Sequence, residues 1–236
     1  MARQARDMRG LETGRRYRAA AWVAWSLCAI SLALLALAGL LVYLTPPIPR
    51  AESKVVFAVL FAVLSLTYPT VGALIASRQP RNSIGWIFCA AGLLIAGTGY
   101  ATAYANYSIF ARTEPLPATQ YAAWLASGGV LVYATLLISA LLLLLYPDGR
   151  LLSRGWQVTV WAVVVGCVTW ALSWSTGPGP LPYPYRSIDN PFVIQGSVGT
   201  VLGEWTRVSI LLVFFGWVAA GISWVYRWDR AEGRER

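Results

Sequence analysis

The sequence predicts an all-α integral membrane protein, a bundle of six transmembrane helices with both termini cytoplasmic. Three observations predict it. Of 236 residues, 57% are apolar or aromatic and only 12% are charged, about half the ~25% charge of soluble domains. No water-soluble fold of this size hides that much apolar side chain, whereas a bilayer accommodates it. The apolar residues also fall into six stretches, each close to the ~20 residues a helix needs to cross a hydrocarbon core. Finally, of 19 Lys and Arg residues, 14 fall in alternate connecting segments counted from the N-terminus and 5 in the others, a positive-inside signal.

The elements follow in order. Residues 1–19 form a basic cytoplasmic tail with Arg3, Arg6, Arg9, Arg15, Arg16 and Arg18. The first span covers about 20–44. It is too long for the ~7–15-residue apolar region of a signal peptide, and Trp25-Ser26-Leu27-Cys28 is no lipoprotein box, so it reads as an uncleaved anchor. The second, 55–77, contains Pro69, where a kink is expected because proline removes a helical hydrogen bond. The third, fourth, fifth and sixth cover 84–107, 120–146, 155–176 and 208–226, and a charged tail, 227–236, ends the chain. The inner connections hold Arg78, Arg81, Arg150 and Arg154, and the outer ones Arg50, Lys54, Arg112, Arg186 and Arg207. Trp and Tyr residues cluster near both sets of span ends, as interfacial belts do. The expected location is the cell membrane.

Several function classes are disfavoured. The chain has no His, which removes the commonest general base and metal ligand. No Asp, Glu, Lys or Arg lies inside a span, against the pattern of ion-coupled carriers. The ten acids form no paired or Asp-rich cluster. No catalytic residue, cofactor site or metal site is expected, and the chain reads as a non-enzyme. Its net charge of +9 flanks the spans and suits lipid rather than nucleic acid. Cys28, Cys89 and Cys167 sit in apolar runs as small buried hydrophobes.

The candidate ligand or coupling residues come from four patterns. In the third span Gly97, Ala101 and Ala105 recur every four residues, a spacing that admits a close helix neighbour. Tyr100, Tyr104 and Tyr107 lie on a neighbouring face, either as a packing stripe or as the wall of a ligand pocket. The outer segment 177–203 contains five prolines with Tyr183, Tyr185, Asn190 and Phe192. It is expected to be an irregular strap, either a functional loop or a passive lid. Glu204 and Arg207 mark the outer start of the last span at pairing distance on one helix face. The two inner loops look alike: Arg78–Trp86, with Pro80, Asn82, Gly85 and Trp86, and Tyr146–Trp156, with Pro147, Asp148, Gly149 and Arg150. Each offers a proline-led turn, arginines and a Gly-Trp entering the next helix.

Together with Pro178-Gly179-Pro180-Leu181, Asn190-Pro191-Phe192 and the terminal Tyr226–Arg236, these loops resemble a bacterial family over roughly residues 68–236. It is the multi-span N-terminal sensor region of two-component sensor histidine kinases with P-x-N-P-I-G-W and F-P-D-G-R-L loops. Ser83 stands where the family has Pro, and Tyr146 where it has Phe. The resemblance implies an input module lacking the kinase domains, either a fragment of a longer kinase or a stand-alone relative, and no family catalytic residue has a counterpart here. The expected function is a membrane sensor that binds an apolar or envelope-associated cue and signals through its last helix. Its expected partners are the lipid bilayer and either a second copy or a kinase partner or continuation. The alternatives are a passive transporter, using Thr98, Thr102 and Asn106, or a structural partner of another membrane protein.

Overall fold

The structure, a computed structural model, describes residues 2–46, 54–127, 129–146, 151–194 and 196–232. Among them are seven α-helices: α1 (Ala2–Leu44), α2 (Lys54–Arg78), α3 (Ser83–Phe110), α4 (Thr119–Ala126), α5 (Gly129–Leu145), α6 (Gln157–Ser175) and α7 (Ser197–Glu232). Five helical segments are long and apolar enough to cross a membrane: Tyr17–Leu44, Phe61–Arg78, Ser83–Phe110, Arg154–Ser175 and Ser197–Tyr226. Large apolar side chains such as Trp161, Leu211, Phe214 and Phe215 point outward from these segments, as suits lipid or a neighbouring helix rather than water. The chain is a multi-pass membrane protein.

Two boundaries differ from the sequence expectation. The stretch 120–146 is not one helix. It divides into α4 and the 17-residue α5, which rises only about 26 Å. Gly128 and Gly129 stand at the break, and each glycine costs a helix about 1 kcal/mol relative to alanine. At α4's end the Ser127 hydroxyl donates to the Trp124 carbonyl, 2.6 Å away. The last helix starts at Ser197 rather than Val208, because Val198, Val201, Leu202 and Trp205 extend its apolar pattern through the exposed Glu204 and Arg207. The N-terminal tail is helical, since α1 begins at Ala2 and runs on into the apolar span Tyr17–Leu44.

The chain forms two compact units, Met1–Leu35 with Ser53–Gly97, and Ala36–Glu52 with Thr98–Arg236. In the first, α2 and the start of α3 form a tight hairpin. The helix α2 continues through Pro69, whose ring faces Gly92: a Cβ there would lie 2.5 Å from the Pro69 Cδ. Gly72 faces the Cys89 backbone, and Gly85 faces Ala76 in the same way. Pro69, Gly72 and Ala76 follow i, i+3, i+7; Gly85, Cys89 and Gly92 follow i, i+4, i+7. Each set makes one smooth stripe. Tyr68 and Phe88 stack beside the seam with ring centroids 5.1 Å apart. Ala24 and Cys28 of α1 complete a core with Ala73, Ala76 and Cys89.

In the second unit α5, α6 and α7 pack on one another around Ala140, Val163, Cys167 and Val213. Gly166 admits Val213, and Gly216 admits Val163. Hydrogen bonds cross the helices: Thr169 to Ser209 (2.7 Å), the Ser173 hydroxyl to the Leu202 carbonyl (2.6 Å) and the Trp217 indole to the Leu136 carbonyl (3.2 Å).

Gly97 does not play the expected packing role. A Cβ at Gly97 would meet nothing within 4 Å, although Ala101 and Ala105 are buried. The tight glycines lie elsewhere, at Gly72, Gly85 and Gly92 in the hairpin and at Gly166 and Gly216 between α6 and α7.

Candidate functional site

Within the second unit, the C-terminal end of α3, the loop 111–118, α4 and the strap 176–194 form a folded cap. Its core is Ala105, Ala123, Leu181 and Tyr185, with Ile109 and Ile188 packed on it. The strap is irregular, as five prolines dictate, yet its backbone groups find partners. Leu181 N–H donates to Ile188 O (3.0 Å), Ile188 N–H to Tyr185 O (2.9 Å) and Ile194 N–H to Thr176 O (3.1 Å). Gly179 takes φ +107 between Pro178 and Pro180, a conformation an L side chain resists.

Asn190 is the main fastener of the strap. Its amide nitrogen donates to the carbonyls of Ser175 (2.9 Å) and Gly177 (3.0 Å), and its amide oxygen accepts from Phe192 N–H (3.0 Å). The Trp124 indole also donates to the Ser175 carbonyl, at 3.0 Å. Phe192 lies edge-on to Trp124, centroids 4.7 Å apart, and beside Tyr121. Tyr185 is buried and its hydroxyl donates to the Asn106 amide oxygen at 3.0 Å. Burial pushes its phenol pKa up, because the charged form loses hydration. Tyr183 is exposed and precedes Pro184 through a cis peptide.

On the α3 side, Tyr104 donates to the Pro117 carbonyl at 2.7 Å and its ring lies 6.1 Å from that of Tyr100. Tyr107 supplies the carbonyl that closes the helix, accepting from Ala111 N–H at 3.0 Å. The tyrosines therefore tie α3 to its own loop and to one another. Glu204 and Arg207 pair at 3.8 Å on the exposed face of α7, with side chains 72% and 84% accessible, so the pair adds little stability.

Two concavities open on the cap. One, of about 290 Å³, is lined by Trp124, Trp174, Ser173, Asn190 and the Pro178–Pro182 turn. Its main polar groups are spent on the protein's own carbonyls, including the Ser173 hydroxyl bonded to Leu202. The other, of about 420 Å³, lies between the loop 111–118 and Ser187-Ile188 and contains Arg112. Arg112, Ser108 and Thr119 were not singled out by sequence pattern. The only signal was a lone arginine following an apolar span, next to Pro115 and Pro117.

The loop motif at the other end of α3 is a fastener. Asn82 caps that helix, its oxygen accepting from Ile84 N–H at 3.0 Å, an N-cap's role. The Trp86 indole donates back to the Pro80 carbonyl at 3.0 Å, and Gly85 lets α2 close on α3. Pro147, Asp148, Gly149 and Arg150 lie outside the described residues, as does the end of the charged tail. Among the described residues no three His, Cys, Asp or Glu side chains gather as a metal site, and all three cysteines are buried free thiols. No family model, curated protein or solved structure matches the chain.

Proposed function

We propose that the chain is a membrane-embedded sensor or input module. It crosses the bilayer six times with both termini cytoplasmic, reads a lipid-like or envelope-associated cue at the cap, and transmits through α7. The loop resemblance to sensor histidine kinases and the asymmetry of the arginines support this reading. The observation that carries it is the continuity of α7. It runs unbroken for 36 residues, about 54 Å, from the strap to Glu232; near its start the Leu202 carbonyl accepts from the Ser173 hydroxyl of α6, while Ile194 N–H closes the preceding strap on the Thr176 carbonyl. A stiff helix anchored at one end passes a tilt or axial shift to the other. A transporter reading is weaker, because two of its three polar residues, Thr102 and Asn106, are engaged within the protein, and only the buried Thr98 hydroxyl has no partner among the described residues.

Orientation is tested in a background lacking Cys28, Cys89 and Cys167. Ser187→Cys should react with an impermeant external reagent and Ser153→Cys should not, and the opposite pattern overturns the topology. Transmission is tested with a spin label at Ala231 and Asn190→Ala as the perturbation. A changed spectrum is expected when the strap is unfastened, and an unchanged one overturns signalling through α7.

A further inference from the structure

We infer that the 420 Å³ crevice beside Arg112 is a binding site for the phosphoryl group of an anionic ligand, an acidic lipid headgroup or a soluble phosphate ester. The inference rests on the sensor reading of the cap and names the chemistry of its cue.

Four observations lead to it. The crevice has a mixed lining: Ile109, Leu116 and Ile188 are apolar, while Arg112, Gln120 and Ser187 supply donors. No carboxylate lines it, and among the described residues neither Arg112 nor the side chains of Gln120 and Ser187 have an internal partner. The recess at Trp124 differs, because its Trp124, Ser127, Ser173 and Asn190 side chains are already bonded to the protein's own carbonyls. A guanidinium with free donors beside hydroxyl and amide donors is the chemistry that recognises phosphate oxygens, since arginine offers a planar fork matching two of them.

The wall is also held in place at a cost. Ala118 sits at φ +60, a left-handed conformation that costs a non-glycine residue of order 1 kcal/mol and often marks a functional site. The buried Ser108 and Thr119 hydroxyls bond each other and fix Leu116 from both sides, its N–H donating to Ser108 at 2.7 Å. The Tyr104 hydroxyl holds Pro117. Rigid placement of a strained loop beside an unpaired cation preorganises a site.

Height in the membrane fits the ligand. The 28 residues of α3 rise about 42 Å, close to the ~40–45 Å of a bilayer with its headgroups. An upright α3 of this length puts Arg112, two residues beyond the helix end, at phosphate level. The apolar residues of the crevice suit the glycerol and first acyl carbons of a lipid, and the donors suit its phosphate.

The test uses the full chain in neutral detergent micelles, melted with phosphatidylglycerol, phosphatidylcholine or glycerol 3-phosphate, with bound lipid counted by native mass spectrometry. Phosphatidylglycerol at a hundredfold excess over Kd should raise Tm by about 5 °C, and phosphatidylcholine should do much less. Arg112→Gln should abolish the shift and the bound lipid, Arg112→Lys should retain part of both, and Arg207→Gln should retain them fully. If glycerol 3-phosphate alone gives an Arg112-dependent shift, the phosphoryl site stands and its source is soluble. Equal shifts with both lipids, a shift surviving Arg112→Gln, or no shift with either phosphate overturns the inference. The sensor reading fails separately. Arg112-dependent binding with a silent label at Ala231 overturns transmission and leaves the site intact.

Discussion

Along the α2–α3 hairpin two backbones meet with little between them except a proline ring and a thiol, at Gly92 against Pro69 and Gly72 against Cys89. In the cap, by contrast, chain segments are joined by side chains reaching to backbone: Asn190 to Ser175 and Gly177, Trp124 to Ser175, Tyr104 to Pro117 and Tyr185 to Asn106. The difference follows from the solvent. Inside hydrocarbon, lipid tails are as apolar as the helices, so association rests on close packing of small residues. Irregular backbone survives only where its polar groups are satisfied, and a proline-rich strap at the membrane surface meets that condition with Asn, Tyr and Trp. One region is closed by shape and the other by exchangeable hydrogen bonds, which suits the second to respond to a ligand.

The comparison breaks most visibly at Gly92. Gly92→Leu would drive carbon into the Pro69 ring, which has no rotamer to yield. We expect a loss of about 3 kcal/mol, read as a lower Tm or as aggregation on gel filtration. Gly97→Ala should cost nothing and gain up to about 1 kcal/mol of helix propensity, since its Cβ enters open space. Equal losses at both positions would refute the assignment of the seam.

Next in size is Asn190→Ala, which removes three hydrogen bonds and leaves the Gly177 carbonyl and the Phe192 N–H to find water, while the Ser175 carbonyl keeps the Trp124 indole. We expect about 1–3 kcal/mol, confined to faster hydrogen exchange over 176–194, with the hairpin unaffected. Uniform destabilisation of both regions would show that the cap is not a separate cooperative piece.

Tyr185 gives a smaller, pH-dependent effect. Its phenol pKa is raised by burial, so the folded state holds the proton after the unfolded chain has lost it near the ordinary value of about 10. Tyr185 therefore contributes stability that is complete below that pH and is lost as pH rises toward its folded value. Tyr185→Phe should flatten the alkaline fall in Tm and cost about 1 kcal/mol at neutral pH. An unaltered alkaline slope would mean the phenol is not buried as described. The smallest effect belongs to Glu204→Gln. It should leave Tm within error in moderate salt, because the Glu204–Arg207 pair is exposed and screened.

Much of the architecture was legible in the sequence, because hydrophobic run length alone separates spans from connections. The ends of α2, α3 and α6 lie within three residues of that expectation. The α4–α5 break was visible only as Gly128-Gly129 inside an apolar run, a signal that run length ignores. The start of α7 was obscured because Glu204 and Arg207 look like a span end, although a helix carries an exposed charge pair without interruption. Small-residue spacing misidentified Gly97 for a similar reason. Periodicity finds a smooth face and says nothing about whether a neighbour lies against it, while the faces in use, Gly85 to Gly92 and Pro69 to Ala76, are assembled from Gly, Pro, Ala and Cys together. In the cap, the sequence marked Asn190 and the tyrosines as notable without revealing that they fasten the strap. Arg112 was counted only as a charge, because its crevice is formed by residues 75 positions apart, Arg112 and Ser187, brought together by the fold.

Hydrogen–deuterium exchange of the full chain in nanodiscs, with and without phosphatidylglycerol, tests the contrast between the two regions most directly. The account predicts slow exchange along 69–92 that the lipid does not alter. It predicts faster exchange over 111–120 and 176–194 that slows when the acidic lipid is present, with the change extending into the first turns of α7. Protection of the cap equal to that of the hairpin, or a lipid response centred on the hairpin, would contradict it.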